Sequence, residues 1–289
     1  MPDWSIVIAA LGDAGFIVDP AAMPTPVTGG DISPAWRLPS QSGAIFLKTG
    51  PADSYDMFAA EAEGLAALAA AAAIRVPRPL AAGVAGATAF VALEWLELRG
   101  GSAATEARLG SLLAEQHRNT ADRYGWHRDN TIGRTAQPNG WSSNWVEFYR
   151  ERRLGYQLEL AAGNGFGGEL QREGARLMRR LPGFFERYKP EPSLLHGDLW
   201  GGNWASCEGD PVIFDPAVHY GDRECDIAMT RLFGGFGHAF YAAYEAAWPL
   251  ASGHRERRDL YQLYHVLNHL NLFGSAYHGR ALDLIRRLL

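Results

Sequence analysis

Residues 194–204, LLHGDLWGGNW, decide how this chain is read, together with residues 214–226, FDPAVHYGDRECD. The first segment packs a His, an Asp and an Asn into one short glycine-containing stretch. The second ends an apolar run on another Asp. Asp198 and Asn203 are five positions apart, the offset of a kinase catalytic loop of the HxD…N type. Between them and Asp215 lies WASCEGDPVIF, a length that fits two short strands joined at an Glu208–Asp210 turn. Such a hairpin predicts that Asp215 returns beside Asn203. A carboxylate such as Asp198 can accept the proton of an incoming hydroxyl. Asn and Asp oxygens are the hard donors that Mg²⁺ selects. The combination points to phosphoryl transfer, in which the protein mainly positions groups and balances charge.

That chemistry also needs a cation on the nucleotide phosphates, and the upstream sequence offers one. Lys48 ends the apolar strand AIFLK. The helix that follows, SYDMFAAEAEGLAALAAAA, carries Glu61 on its Phe58–Leu65 side, which favours Glu61 over Glu63 as the lysine's partner. Gly29 and Gly30, in TGGDIS, form a candidate turn over the nucleotide; no Gly-Lys-Ser/Thr follows, so this is not a Walker A loop. LEWL, residues 93–96, closes the last strand of this region, where the backbone of Glu94 and Leu96 could meet an adenine edge. The first hundred residues read as an initial helix from Trp4 and then strand, strand, helix, strand, strand. Beyond RGGS the pattern turns helical, with a loop-like stretch at 122–144 and short strands around Asp198 and Asp215. The fold class is α+β: a small antiparallel sheet with a helix over residues 1–98, and a larger, mainly helical catalytic and acceptor-binding lobe over 99–289.

Composition excludes several classes. The 289 residues carry a formal charge of -5 with 27 Lys+Arg against 32 Asp+Glu, so no nucleic-acid partner is expected. The alanine-rich run near residue 70 is too short to span a bilayer, and no membrane partner is expected. The N-terminal stretch lacks a basic and then long apolar signal pattern. Two cysteines, Cys207 and Cys225, make no disulfide framework and fit a reducing compartment, so a cytoplasmic location is expected. Oligomeric state is left open.

The string LLHGDLWGGNW with VIFDPAVHYGDRECDIAMTRLFGGF closely resembles the fructosamine kinase, or ketosamine-3-kinase, family. The family sits in the aminoglycoside/choline kinase-like group with a two-lobed protein-kinase-like fold. GGDISPAWRL, FLK, MFAAEAEGLAAL, LAEQHRNT and YGWHRDNTIGRTAQPNGWSSNWVEFYRERRL extend the similarity over most of the chain. HGD alone marks the broad group; the Trp in HGDLWGGN is far more specific. The resemblance implies ATP and Mg²⁺ as cofactors and a small-molecule or glycated-amine substrate, phosphorylated on the sugar 3-hydroxyl in a deglycation role. It implies Asp198 as catalytic base, Asn203 and Asp215 as Mg²⁺ ligands, and Lys48 with Glu61 at the phosphates. Trp200 would line the sugar pocket. Some family members carry a Cys in the nucleotide loop; here Asp31 stands near that position, so a disulfide switch is not expected and the Asp31 side chain is expected to point outward.

Other residues admit two readings. Arg128, Asp129, Asn130 and Arg134 either wall the acceptor pocket or belong to a loop that packs Trp126 and Trp141. His219, Tyr220, Asp222 and Arg223 are close enough to Asp215 to border the site. His196 and Asp226 read as braces of the catalytic loop. His265 and His269, one helical turn apart, read as core or pocket packing rather than metal ligands. Competing functions are an aminoglycoside, choline or homoserine kinase and a nucleotide-binding pseudokinase. The helix that starts within about ten residues of Asp215 leaves no room for a long activation loop, which argues against peptide docking of the protein-kinase type.

Overall fold

A computed structural model describes residues 2–289 except 20, 29–31 and 42. Its contacts group into two units, residues 1–101 with 205–215, and residues 102–204 with 216–289.

In the first unit, helix α1 (Trp4–Asp13) starts where the Asp3 carboxylate accepts the Ser5 N–H at 3.1 Å. Its Val7, Ile8 and Leu11 pack on Leu38, Ile45, Leu47 and Phe90. Those residues come from an antiparallel sheet of β1 (Thr25–Val27), β2 (Ala35–Ser40), β3 (Gly43–Pro51), β4 (Pro79–Ala85) and β5 (Thr88–Glu94), in the order β1-β2-β3-β5-β4. The short β1 is an addition to the sequence expectation. On β3 the side chains of Ile45, Leu47 and Thr49 are buried on one face, so the pleat sends Lys48 to the other. Helix α2 (Tyr55–Ala70) buries Phe58, Leu65 and Leu68, and Glu61 lies on that side because positions three and four apart share a face.

Residues 205–215 group with the first unit although the chain returns to them from the second. The strands Trp204–Cys207 and Asp210–Ile213 form the expected hairpin. Its backbone is captured by Arg99, which exchanges two 2.8 Å hydrogen bonds with Ser206, and by Arg75, whose carbonyl accepts from Ile213 at 3.1 Å.

In the second unit, helix α3 (Ala103–Gln116) begins at the capping Ser102. The chain between residues 122 and 144, read as a loop, holds a small hairpin, Asn130–Ile132 paired with Thr135–Gln137. Helices α4 (Trp145–Tyr149) and α5 (Tyr156–Gly163) are joined by a widened turn, Arg150–Gly155. There Arg153 is buried: it donates to the Pro138 carbonyl and the Asn139 Oδ1 and lies over the Phe148 and Tyr264 rings. Helices α6 (Glu169–Arg180), α7 (Glu224–Thr230), α8 (His238–Ala247), α9 (His254–Phe273) and α10 (His278–Leu288) complete the unit. Helix α8 crosses α3 at Gly110, where a Cβ would stand 2.2 Å from the Phe240 carbonyl oxygen. Helix α9 runs through the core, burying Leu260, Leu263, Val266, Leu267 and Leu270. Among the described residues no helix is long and apolar enough to cross a membrane.

Buried titratable groups in this unit set an acid limit. Burial pushes His219 and His265 down to about 3, so folding holds them neutral. Burial pushes Asp222 up to about 6, where it accepts hydrogen bonds from Tyr188 and Tyr261. Between pH 6.5 and 3 the unfolded chain binds the histidine protons that the folded chain refuses, so stability falls as pH drops. Asp222 acts in the opposite sense between about pH 4 and 6, because there the folded state holds the extra proton. Two histidines displaced by a wider span outweigh one aspartate. The thermal midpoint should therefore drop steadily from pH 7 to pH 4.5, and His219→Gln should flatten that slope. A midpoint that rises on acidification would contradict the assignment.

Candidate active site

In the first unit, the Lys48 Nζ lies 2.7 Å from Glu61 Oε1 and 2.6 Å from Asp215 Oδ1. The Lys48 and Glu61 side chains are each 12% exposed, whereas that of Asp215 is 42% exposed. Burial alone would lower the lysine's pKa, but the two carboxylates outweigh it and raise it, so the ammonium stays charged. Burial pushes the Glu61 carboxyl up against the pull of Lys48. The Asp215 backbone adopts φ 57, a left-handed conformation uncommon outside glycine. It sits where the hairpin strand ends, so the bend, and not the strand, aims its side chain.

The Glu94 N–H donates to the Arg78 carbonyl at 2.9 Å, and the Glu94 carboxylate accepts from the Arg78 N–H and, at 3.4 Å, from Arg75. Leu96 follows the strand end and is half-buried. Gly29, Gly30 and Asp31 lie outside the described residues.

The HGD segment belongs to the second unit and is held almost entirely through its backbone. Gly197 has φ +85, and a Cβ there would stand 2.1 Å from the Ala217 carbonyl oxygen, so glycine is required twice over. The Asp226 carboxylate, at the start of α7, accepts from His196 N at 2.8 Å, Gly197 N at 2.9 Å and His117 Nε2 at 3.1 Å. Burial opposes ionisation of Asp226, but these donors lower its pKa and keep it a carboxylate. The His196 ring, fully buried, accepts the Asp198 N–H through Nδ1 at 3.3 Å. The Asn203 side-chain amide donates to the Asp198 carbonyl at 2.9 Å, which closes the loop. Trp200 is half-buried against the helical core, with Gly202 so close to its ring that a Cβ would fall at 2.4 Å. His265 brings Nδ1 to 3.9 Å from Asp198 Oδ1, and among the described residues that nitrogen has no hydrogen-bond partner.

His196 and Asp226 therefore brace the loop. Sequence reasoning reads His265 as core or pocket packing, and the structure puts its ring beside Asp198. Its neighbourhood to Asp198 comes from docking of a distant helix, and nothing local in YHVLNH signals it. His269 donates its Nδ1–H to the His265 carbonyl at 2.8 Å, and no metal-binding cluster occurs among the described residues. Asp129 and Asn130 are tied into the loop itself, accepting from Asn139 N at 2.7 Å and donating to the Val218 carbonyl at 2.8 Å. Asp222 and Arg223 are buried rather than facing a cleft, Arg223 donating to Tyr244 Oη and the Trp248 carbonyl.

Comparison with known proteins converges. The family model described as fructosamine kinase matches residues 17–289. The chain is 43% identical over 268 residues to the "Probable ketoamine kinase" of Synechocystis sp., covering 91% of this chain and 89% of that protein. It is 44% identical over 263 residues to the chloroplastic protein-ribulosamine 3-kinase of Arabidopsis thaliana, covering 90% and 80%. A crystal structure from Haemophilus somnus 129PT, assigned provisionally to the fructosamine-3-kinases, superposes with a TM-score of 0.89 at 28% identity over 99% of this chain and 97% of that one. Aminoglycoside phosphotransferase APH(4)-Ia, at 16% identity and a TM-score of 0.62 over 96% and 97%, shares the fold, which is the two-lobed protein-kinase-like one. With a match of this length and identities of this size, the chain belongs to the fructosamine kinase family.

Proposed function

We propose that the protein is an ATP-dependent ketosamine kinase that phosphorylates the 3-hydroxyl of a fructosamine or ribulosamine. The observation that carries this is the Asp198 loop. A partly exposed carboxylate stands on a backbone fixed by Asp226, His196 and Asn203, beside an imidazole that burial keeps neutral. That neutrality matters, because an imidazolium would neutralise the base it faces. In this reading Asp198 accepts the proton of the 3-hydroxyl as the oxygen attacks phosphorus. Lys48, held charged by Glu61, neutralises phosphate oxygens, and Asp215, the other partner of Lys48, would be a ligand for the metal. Asn203 and Asp215 supply oxygen donors of the kind Mg²⁺ takes, and the metal would offset charge on the transferring phosphoryl group. Trp200 offers an indole face to the sugar.

A phosphate at C3 leaves more readily than the hydroxyl it replaces, so its installation would commit the adduct to breakdown and return the free amine. We place this activity in the cytoplasm; neither cysteine is in a disulfide, which fits a reducing compartment. ATP turnover measured with 1-deoxy-1-alkylamino-fructose, the matching ribulosamine and an aminoglycoside tests the reading. A 3-phosphate on a ketosamine, located by phosphorus–proton correlation, is the expected product. Phosphorylation of the aminoglycoside with no ketosamine product would favour the antibiotic-kinase alternative instead.

A further inference from the structure

Helix α9 carries a second feature beyond His265. One turn on, His269 stands in a group of rings: its centroid is 4.7 Å from Phe233, 5.4 Å from Phe273 and 5.1 Å from Tyr277. Phe233 is 37% and Phe273 is 52% exposed, unusual for large apolar side chains gathered in one place. Burial, and then the nearby Arg280, lower the pKa of His269, so the ring group is uncharged at neutral pH. The Arg280 guanidinium is engaged at its edge, over Phe233 and donating to the Leu232 carbonyl at 3.1 Å.

This patch is continuous with the Asp198 loop along two routes. Along the helix, Asp198 neighbours His265, and His265 binds His269 through its carbonyl. Along the chain, Phe233 leads into Gly234 and Gly235, and a Cβ on Gly235 would fall 2.7 Å from the Gly201 Cα, three residues after Asp198. One helical turn rises about 5.4 Å. In a ketosamine the amine nitrogen is three bonds from C3, about 4 Å when extended. A sugar whose 3-hydroxyl meets Asp198 therefore has room to send its amine substituent one turn along α9.

We propose that Phe233, His269, Phe273 and Tyr277 form the subsite for the hydrocarbon chain of the substituted amine, so that the enzyme selects ketosamines of apolar amines over those of small ones. This rests on the ketosamine kinase reading and names the part of the substrate that the Asp198 loop does not contact. A partly exposed ring surface of this kind gains from each methylene that covers it.

The test compares kcat/KM of the full-length enzyme for 1-deoxy-1-methylamino-, hexylamino- and benzylamino-fructose. The wild type should prefer the hexyl and benzyl compounds by roughly tenfold, mostly through KM. Phe273→Ala and, independently, Phe233→Ala should bring the hexyl-to-methyl ratio close to one, while Phe273→Leu, which keeps the hydrocarbon, should retain most of the preference. Equal rates for all three substituents in the wild type would overturn the inference alone. So would variants that lower all three by one common factor, because that is the signature of a merely structural ring. No turnover of any ketosamine would overturn the underlying reading and the inference with it.

Discussion

Asp198→Asn should lower kcat by roughly 10³-fold, the scale of losing a positioned general base, while ATP binding and thermal midpoint stay close to wild type. The reason is that the anchoring contacts described above are made by the Asp198 backbone. Its N–H goes to His196 and its carbonyl to Asn203, both backbone contacts that an asparagine preserves. The side chain is 23% exposed, so replacing the charge by an amide of the same shape leaves no void. Calorimetric titration with a non-hydrolysable ATP analogue and a melting curve, run beside the kinetic assay, separate the outcomes. A variant within tenfold of wild-type kcat would remove Asp198 from its assigned role. A variant that fails to bind nucleotide would show that the loop, and not the base, had been lost.

How much of this was legible in the sequence follows from where each contact is made. The Lys48–Glu61 pair could be read because both partners sit on strongly patterned elements, an alternating strand and a helix with an apolar face, thirteen residues apart. The hairpin leading to Asp215 could be read from the Glu208–Asp210 turn between two apolar runs. Attachment of that hairpin to residues 75 and 99 could not, because backbone hydrogen bonds to distant segments leave no mark on side-chain pattern. Glu94 illustrates the same limit: its side chain does not announce that its N–H is taken by the Arg78 carbonyl. His265 is the clearest gap. Position on a helix face says that it is buried, and only the docking of α9 says that it is buried against Asp198. Specific motifs carried the family resemblance, and tertiary contacts carried the rest.

Asp226 is expected to behave in the opposite way to Asp198, and the contrast is itself diagnostic. Asp226→Ala should cost about 3–5 kcal/mol of stability as well as activity. Its carboxylate is 1% exposed and satisfies three donors, the N–H groups of His196 and Gly197 and the His117 imidazole, which is 0% exposed. Truncation strands all three in a buried site, and each orphaned buried donor carries its own desolvation cost. It also frees the turn at Gly197 that fixes Asp198 two residues later. For a chain of this size the loss corresponds to about 5–8 °C in thermal midpoint. Asp226→Asn should recover only part of it, because an amide nitrogen would face one of the N–H donors that the second carboxylate oxygen now accepts. Loss of activity in Asp226→Ala with an unchanged melting curve would mean that Asp226 acts directly on substrate or metal, and the bracing role given to it here would be wrong.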